Sequence, residues 1–538
     1  MLVRAFGQSM SDTHAEAGKE VGRPKLVVGI VVDQMRWDYL YRYYDRYQEN
    51  GGFKRLLRHG FSCENTMIPY VPTVTACGHA SIYTGTIPAI NGITGNEWWD
   101  YAESTVAYCV GDGTVNTVGS EDKLGQMSPR NLLVTTIGDE LRLATNFRSK
   151  IIGIALKDRA AILPAGHTAN CAYWYDEKTG NWITSSYYVP QLPKWVTEFN
   201  ERKLVDKYYE LNWNTLYPID TYNQSTADVQ PYELRPFGTK GFPYDVKQFT
   251  GKNYGLIHII PYGNSFTFDM AEAAIDGEGL GSGKITDMLT ISLSTPDYIG
   301  HNFGPNSVEQ EDDFLRLDKD LGDFIDHLDK KIGKDGYLLF LTADHGVAQV
   351  PFFAAQHNIP SGNAMDVEYT QGLNELLKTK FKADNLVIGV FDYQVHFDRD
   401  LIQKLGLNKD SVTRVAINYL IQQPAVYNAF SLDKVSGATL NSTIKTAVIN
   451  GYYAPRSGDI IIIFKPQWIE GFENGGTTHG QWYPYDSHIP LLWYGWKIQH
   501  GHTNREVYMT DIAPTVAALL HIQAPNGSVG HVIEEVAR

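Results

Sequence analysis

Residues Lys25-Leu-Val-Val-Gly-Ile-Val-Val-Asp33 form an unbroken apolar run that ends in a carboxylate. A strand with no polar alternation has two apolar faces. It must be covered on both sides, as in the centre of a parallel sheet with a helix layer above and below. Comparable runs recur at 151–156, 288–293, 337–341, 460–464 and 489–494. Helical patterns lie between them. Phe314, Leu317, Leu321, Phe324, Ile325 and Leu328 share one face at 3–4 spacing. Residues 509–521 read as a late helix with Thr510 or Asp511 as N-cap and Pro514 in the first turn. Strands alternating with helices predict an α/β fold, a mostly parallel central sheet flanked by helices.

Residues 25–538 read as one such domain, with inserted cap regions at 170–255 and 351–455 where the rhythm breaks. The polar residues 1–24 read as a disordered tail or a signal-peptide remnant, with Ala5-Phe6-Gly7 before Gln8 as its processed end. No apolar stretch is long enough for a membrane helix. A net charge of −15 without a basic run argues against nucleic-acid binding. It also means that positive charge for an anionic substrate must be gathered locally, and bound divalent metals do this. The four cysteines, Cys63, Cys77, Cys109 and Cys171, permit two disulfides but contain no CxxC spacing for a thiolate metal site.

Ligands of open α/β sheets bind beyond the carboxyl ends of the strands. The residues that follow the apolar runs are Asp33, then Lys157-Asp-Arg159, then Asp297 and His301, then Asp344 and His345. A strand-terminal Asp alone is often only a helix cap. Carboxylates and imidazoles converging from several strand ends would repel and desolvate one another unless cations were bound. Imidazole and carboxylate donors without thiolates suit zinc. His479, in a Gly-rich loop before the last run, could join them.

The candidate nucleophile is Thr75, in Pro72-Thr-Val-Thr75-Ala-Cys-Gly-His. It is expected to cap a helix starting at Ala76, whose free N–H groups and positive dipole end attract phosphate. Cys77 is expected to be packed, and His79 to serve helix packing.

The ordered set Asp33, Thr75, Asn96, Lys157-x-Arg159, Asp297-x-x-x-His301, Asp344-His345 and His479 resembles the alkaline phosphatase superfamily. Within it, the chain is similar to the phosphate-irrepressible bacterial alkaline phosphatases with a threonine nucleophile. The resemblance implies two zinc ions per chain. Asp297, His301 and His479 would hold one; Asp33, Asp344 and His345 would hold the other, with the Thr75 oxygen beside it. It also implies a phosphothreonine intermediate, small phosphate monoesters as broadly accepted substrates, a monomer, and a periplasmic or secreted location. Lys157, Arg159 and Asn96 are assigned to the transferred group, where a Lys and an Arg reward the extra charge of a monoester dianion. Two rivals stay open: a phosphodiesterase or nucleotide pyrophosphatase of the same superfamily, and a non-catalytic metal- or phosphate-binding protein. The sulfatase branch is excluded because Cys77-Gly-His-Ala-Ser lacks the residues that create formylglycine.

Overall fold

The computed structural model describes residues 22–471 and 475–538. The tail expected over 1–24 therefore lies outside the described residues as far as residue 21. The Leu26–Val32 strand is buried along its whole length. It pairs in parallel with Tyr337–Thr342 on one side and Asp287–Leu293 on the other. Ile151–Ala155 and Cys171–Asp176 extend the parallel set outward. Parallel strands all end at one edge of the sheet, so the polar residues that follow them are delivered to one place. The Val308–Lys331 helix lays the predicted stripe, Phe314 to Leu328, against this sheet. The same helix also encloses Glu309, Glu311, Asp312 and Asp313 with no exposure. Tyr244, Arg46, Trp213 and Asn264 partner these acids in turn.

The sheet departs from expectation at its margins. Leu491–Gly495 pairs antiparallel with Tyr337–Thr342, and Asn181–Ser185 antiparallel with Cys171–Asp176. The Ile460–Phe464 run is absent from this sheet. It lies in a separate four-stranded sheet with Val387–Phe391, Gln394–Phe397 and Val426–Ser431. An apolar run reports that a strand is buried on both faces but not by what. Here Leu373, Leu377, Val412 and Leu420 cover it, and the residues from 364 to 464 pack an apolar cluster of their own with Val71. Residues 170–255 behave differently, sending Trp182, Phe199, Trp213 and Tyr244 into the main core.

All four cysteines are buried free thiols, so neither permitted disulfide is formed. Cys77 Sγ instead faces the Ile93 carbonyl, and Cys171 Sγ meets the Thr184 hydroxyl. The late helix runs Ile512–Leu520 with Asp511 as N-cap.

Candidate metal centre and phosphoryl site

Asp33 and Gln34 leave the Leu26–Val32 strand at the carboxyl edge. Asp297 lies in the first turn of the Thr295–Phe303 helix, and His301 stands one turn later on the same face. Asp344 and His345 follow the Tyr337–Thr342 strand, and His479 arrives from its loop. Each of these three histidines turns Nδ1 toward a backbone carbonyl. His301 meets Thr477 at 2.7 Å, His345 meets Gly346 at 3.0 Å, and His479 meets Thr73 at 2.7 Å. A carbonyl only accepts, so each Nδ1 carries a proton and turns its Nε2 inward; at His345 and His479 a neutral ring then presents a lone pair there. Burial agrees with neutrality, driving His345 and His479 below the ordinary imidazole range.

Each Nε2 faces carboxylate oxygens, and that of His345 also meets the Thr75 hydroxyl. His345 Nε2 lies 3.3 Å from Asp344 Oδ2, 3.4 Å from Thr75 Oγ1 and 3.5 Å from Asp33 Oδ1. Asp297 Oδ1 lies 3.1 Å from His301 Nε2 and 3.6 Å from His479 Nε2. Two donors bound to one tetrahedral zinc stand about 3.3 Å apart. The buried Asp33 Oδ1 and Asp344 Oδ2 have no hydrogen-bond partner among the described residues. Burial and then the Asp344 charge push the Asp33 carboxyl well above its usual range, although Lys157 opposes this. The donor set therefore fits divalent metal ions. Among the described residues, the mutually close donor groups are Asp297, His301, His479 and Asp33, Asp297, His345. Asp344 adjoins the second group through Oδ2, because its Oδ1 already accepts the N–H groups of Gln34 and His345 at 3.1 and 3.0 Å.

Thr75 is the first residue of the Thr75–Thr84 helix, not its cap; Val74 takes that place, and no side chain caps the helix. The Thr75 hydroxyl is thus left for the metal-facing side instead of the helix end. The Ala76 N–H expected to await phosphate is occupied by Asn96 Oδ1 at 3.0 Å. This orientation leaves the Asn96 amide N–H₂ without a protein partner among the described residues, beside a cavity of 220 Å³ lined by Thr75, Asn96, Arg159, Asp297, His301 and His479. Arg159 is steadied by the Tyr108 hydroxyl at 3.1 Å. Lys157 does not line this cavity. Its Nζ sits 2.7 Å from Asp33 Oδ2 and 2.5 Å from Asp297 Oδ2. Burial works against that ammonium, but Asp297 and Asp33 outweigh it and hold its pKa above the ordinary lysine value. His79 bonds the Thr75 carbonyl and Ser292, and its Nδ1 lies 3.4 Å from Asp344 Oδ2.

Several residues at the site were not singled out from the sequence. Gln34, at φ +66°, donates its side-chain amide to Asp297 Oδ1 at 2.6 Å, tying the first strand end to the third. Asp392, Tyr393 and Glu470 reach the cavity from the separate lobe. Gln34 directly follows Asp33. Asp392-Tyr393 lies between two short apolar segments and carries the length signature of a two-residue hairpin.

A family model described as type I phosphodiesterase / nucleotide pyrophosphatase matches residues 27–486. Alkaline phosphatase PhoV of Synechococcus elongatus is 54% identical, over 96% of this chain and 94% of that protein. A Myroides odoratus protein named calcium-transporting ATPase is 51% identical, over 96% of each. Alkaline phosphatase PafA of Elizabethkingia meningoseptica is 50% identical, over 97% of this chain and 96% of that protein. A crystal structure of PafA superimposes with a TM-score of 0.95 at 49% identity, covering 97% of this chain and 100% of that one. The chain belongs to the type I phosphodiesterase / nucleotide pyrophosphatase family and, within the alkaline phosphatase superfamily, to the alkaline phosphatases that PhoV and PafA represent.

Proposed function

We propose that this chain is a two-zinc alkaline phosphatase that hydrolyses small phosphate monoesters, with broad specificity, through a phosphothreonine on Thr75. The observation that carries the proposal is the convergence of the inward Nε2 atoms of His301, His345 and His479 on carboxylate oxygens, with the Thr75 hydroxyl beside His345. Asp297, His301 and His479 would hold one ion, and Asp33, Asp344 and His345 the other. Nitrogen and oxygen donors without thiolate favour zinc. When bound, the ions supply Lewis acidity, neutralising phosphoryl charge and lowering the pKa of adjacent oxygens.

Thr75 Oγ1 attacks phosphorus. The new Oγ1–P bond forms as the bond to the leaving group breaks, and the leaving oxygen takes up a proton. Water then attacks the phosphothreonine from the opposite side and restores the hydroxyl. Arg159 and Asn96 stand on the cavity wall to bind non-bridging oxygens. A monoester dianion offers three such oxygens and a diester two, so these donors favour the monoester. Lys157 supplies further positive charge from between the two ligand sets. From the resemblance to the bacterial alkaline phosphatases we place the enzyme in the periplasm or outside the cell, and expect a monomer. Among the described residues no helix is long and apolar enough to cross a membrane, and the transport named for the Myroides odoratus relative is not carried over.

Comparing kcat/KM for p-nitrophenyl phosphate and bis-p-nitrophenyl phosphate tests the proposal. A monoester preference of several orders of magnitude, abolished by a chelator and restored by zinc, is expected. A diester preference would keep the metal centre and overturn the substrate class. Bound zinc without turnover of either ester would leave a binding protein.

A further inference from the structure

The separate lobe enters the site through one turn. Strands Val387–Phe391 and Gln394–Phe397 are joined by Asp392 and Tyr393, at φ +45° and +66°. Two consecutive positive φ angles suit a two-residue hairpin whose twist matches its strands, a place that favours Asn-Gly or Asp-Gly. Here the second position carries a tyrosine, and both side chains point to functional residues. Asp392 Oδ2 accepts the Asn96 N–H at 2.7 Å, and the Tyr393 hydroxyl donates to the His479 carbonyl at 2.7 Å. Each contact is admitted by a glycine next to its target. A Cβ on Gly95 would lie 2.3 Å from Asp392 Oδ2, and one on Gly480 would lie 2.2 Å from the Tyr393 ring.

Asn96 is held from three directions. Its carbonyl accepts the Cys109 N–H at 2.9 Å, its side-chain oxygen accepts the Ala76 N–H at 3.0 Å, and its own N–H goes to Asp392. The group left over is the amide N–H₂ beside the cavity. Of the three ties, the one to Asp392 comes from a different lobe, more than 290 residues along the chain.

We propose that Asp392 is a positioning residue: the hairpin turn of the separate lobe holds Asn96 so that its amide donates to the phosphoryl oxygens, and so couples the lobe to phosphate recognition. The inference rests on the proposed role of Asn96. Asp392 borders the cavity and acts through the Asn96 backbone.

A double-mutant cycle on the zinc-loaded enzyme tests it, reading inhibition by inorganic phosphate and kcat/KM for p-nitrophenyl phosphate. Asp392→Ala is expected to weaken both by about tenfold, the scale of one lost hydrogen bond, and to cost less than about twofold once Asn96→Ala is present. Asp392→Asn keeps one acceptor oxygen and should recover most of the loss. An equal fold-loss with and without Asn96, or no loss at all, would overturn the inference. If Asn96→Ala alone leaves phosphate inhibition unchanged, the assignment of Asn96 fails and the inference falls with it. Should Asp392→Ala not fold, the cycle runs with Asp392→Asn, whose smaller loss must also vanish without Asn96; its persistence overturns the inference.

Discussion

Replacing Lys157 by methionine should damage the metal-free protein far more than the zinc-loaded one. The ammonium lies 2.7 and 2.5 Å from Asp33 and Asp297, with a side chain 3% exposed. Removing one partner of a buried ion pair costs about 3–5 kcal/mol, because the other charge is left uncompensated. Methionine keeps most of the stem volume, so the cavity contribution is small. At about 2.1 cal/mol/K per residue, this chain unfolds with an entropy of about 1.1 kcal/mol/K, so a loss of 4 kcal/mol lowers Tm by about 3–4 °C in chelator. Divalent ions neutralise the same carboxylates, and with them bound the loss should fall below about 1 kcal/mol. The thermodynamic cycle then requires Lys157→Met to bind zinc more tightly by about 2–4 kcal/mol, roughly 30- to 1,000-fold. Thermal melts in chelator and in excess zinc, with zinc affinity measured by competition against a chromophoric chelator, give all sides of the cycle. Equal destabilisation in both states, or an unchanged zinc affinity, would refute the view that this ammonium balances the ligand carboxylates as a metal ion does.

Thr75→Ala should retain bound zinc and phosphate inhibition while losing at least about a thousandfold in turnover, and acid quenching should trap phosphoprotein only with Thr75 present; turnover near the parent level would remove Thr75 as nucleophile. Alkaline pH should weaken the fold through a buried acid pair. Burial and the Glu309 charge push Glu233 up to about 9, and burial pushes Glu309 up to about 8. Their folded pKa values lie above the unfolded one, so this stabilisation is complete below about pH 4.5 and is lost as pH rises through 8–9, at about 1.4 kcal/mol per unit for each group. Glu233→Gln, neutral throughout, should flatten that decline in the urea midpoint between pH 6 and 9; a slope matching the parent protein would show that the pair does not titrate this way.

Much of the central sheet was legible because its signal is local. A run such as Leu26–Val32 declares two buried faces within seven residues, and the residue after it must stand at the sheet edge. That reasoning assembles Asp33, Asp297, His301, Asp344 and His345 without any tertiary information. The structure brings them together with His479, which one loop histidine among others could not announce by itself. Other features depend on partners distant in sequence. Ile460–Phe464 has the composition of a central strand, yet its sheet is chosen by which helices cover it. Thr75 is freed from capping because the chain enters the helix through an extended Val74. Lys157 turns away from the cavity because carboxylates 124 and 140 residues away meet at its ammonium. Asp392 reaches Asn96 only because a hairpin of another lobe ends there. Burial and strand ends are written in consecutive residues, whereas the direction of a charged side chain is set by an electrostatic field that exists only once the strand ends have been brought together.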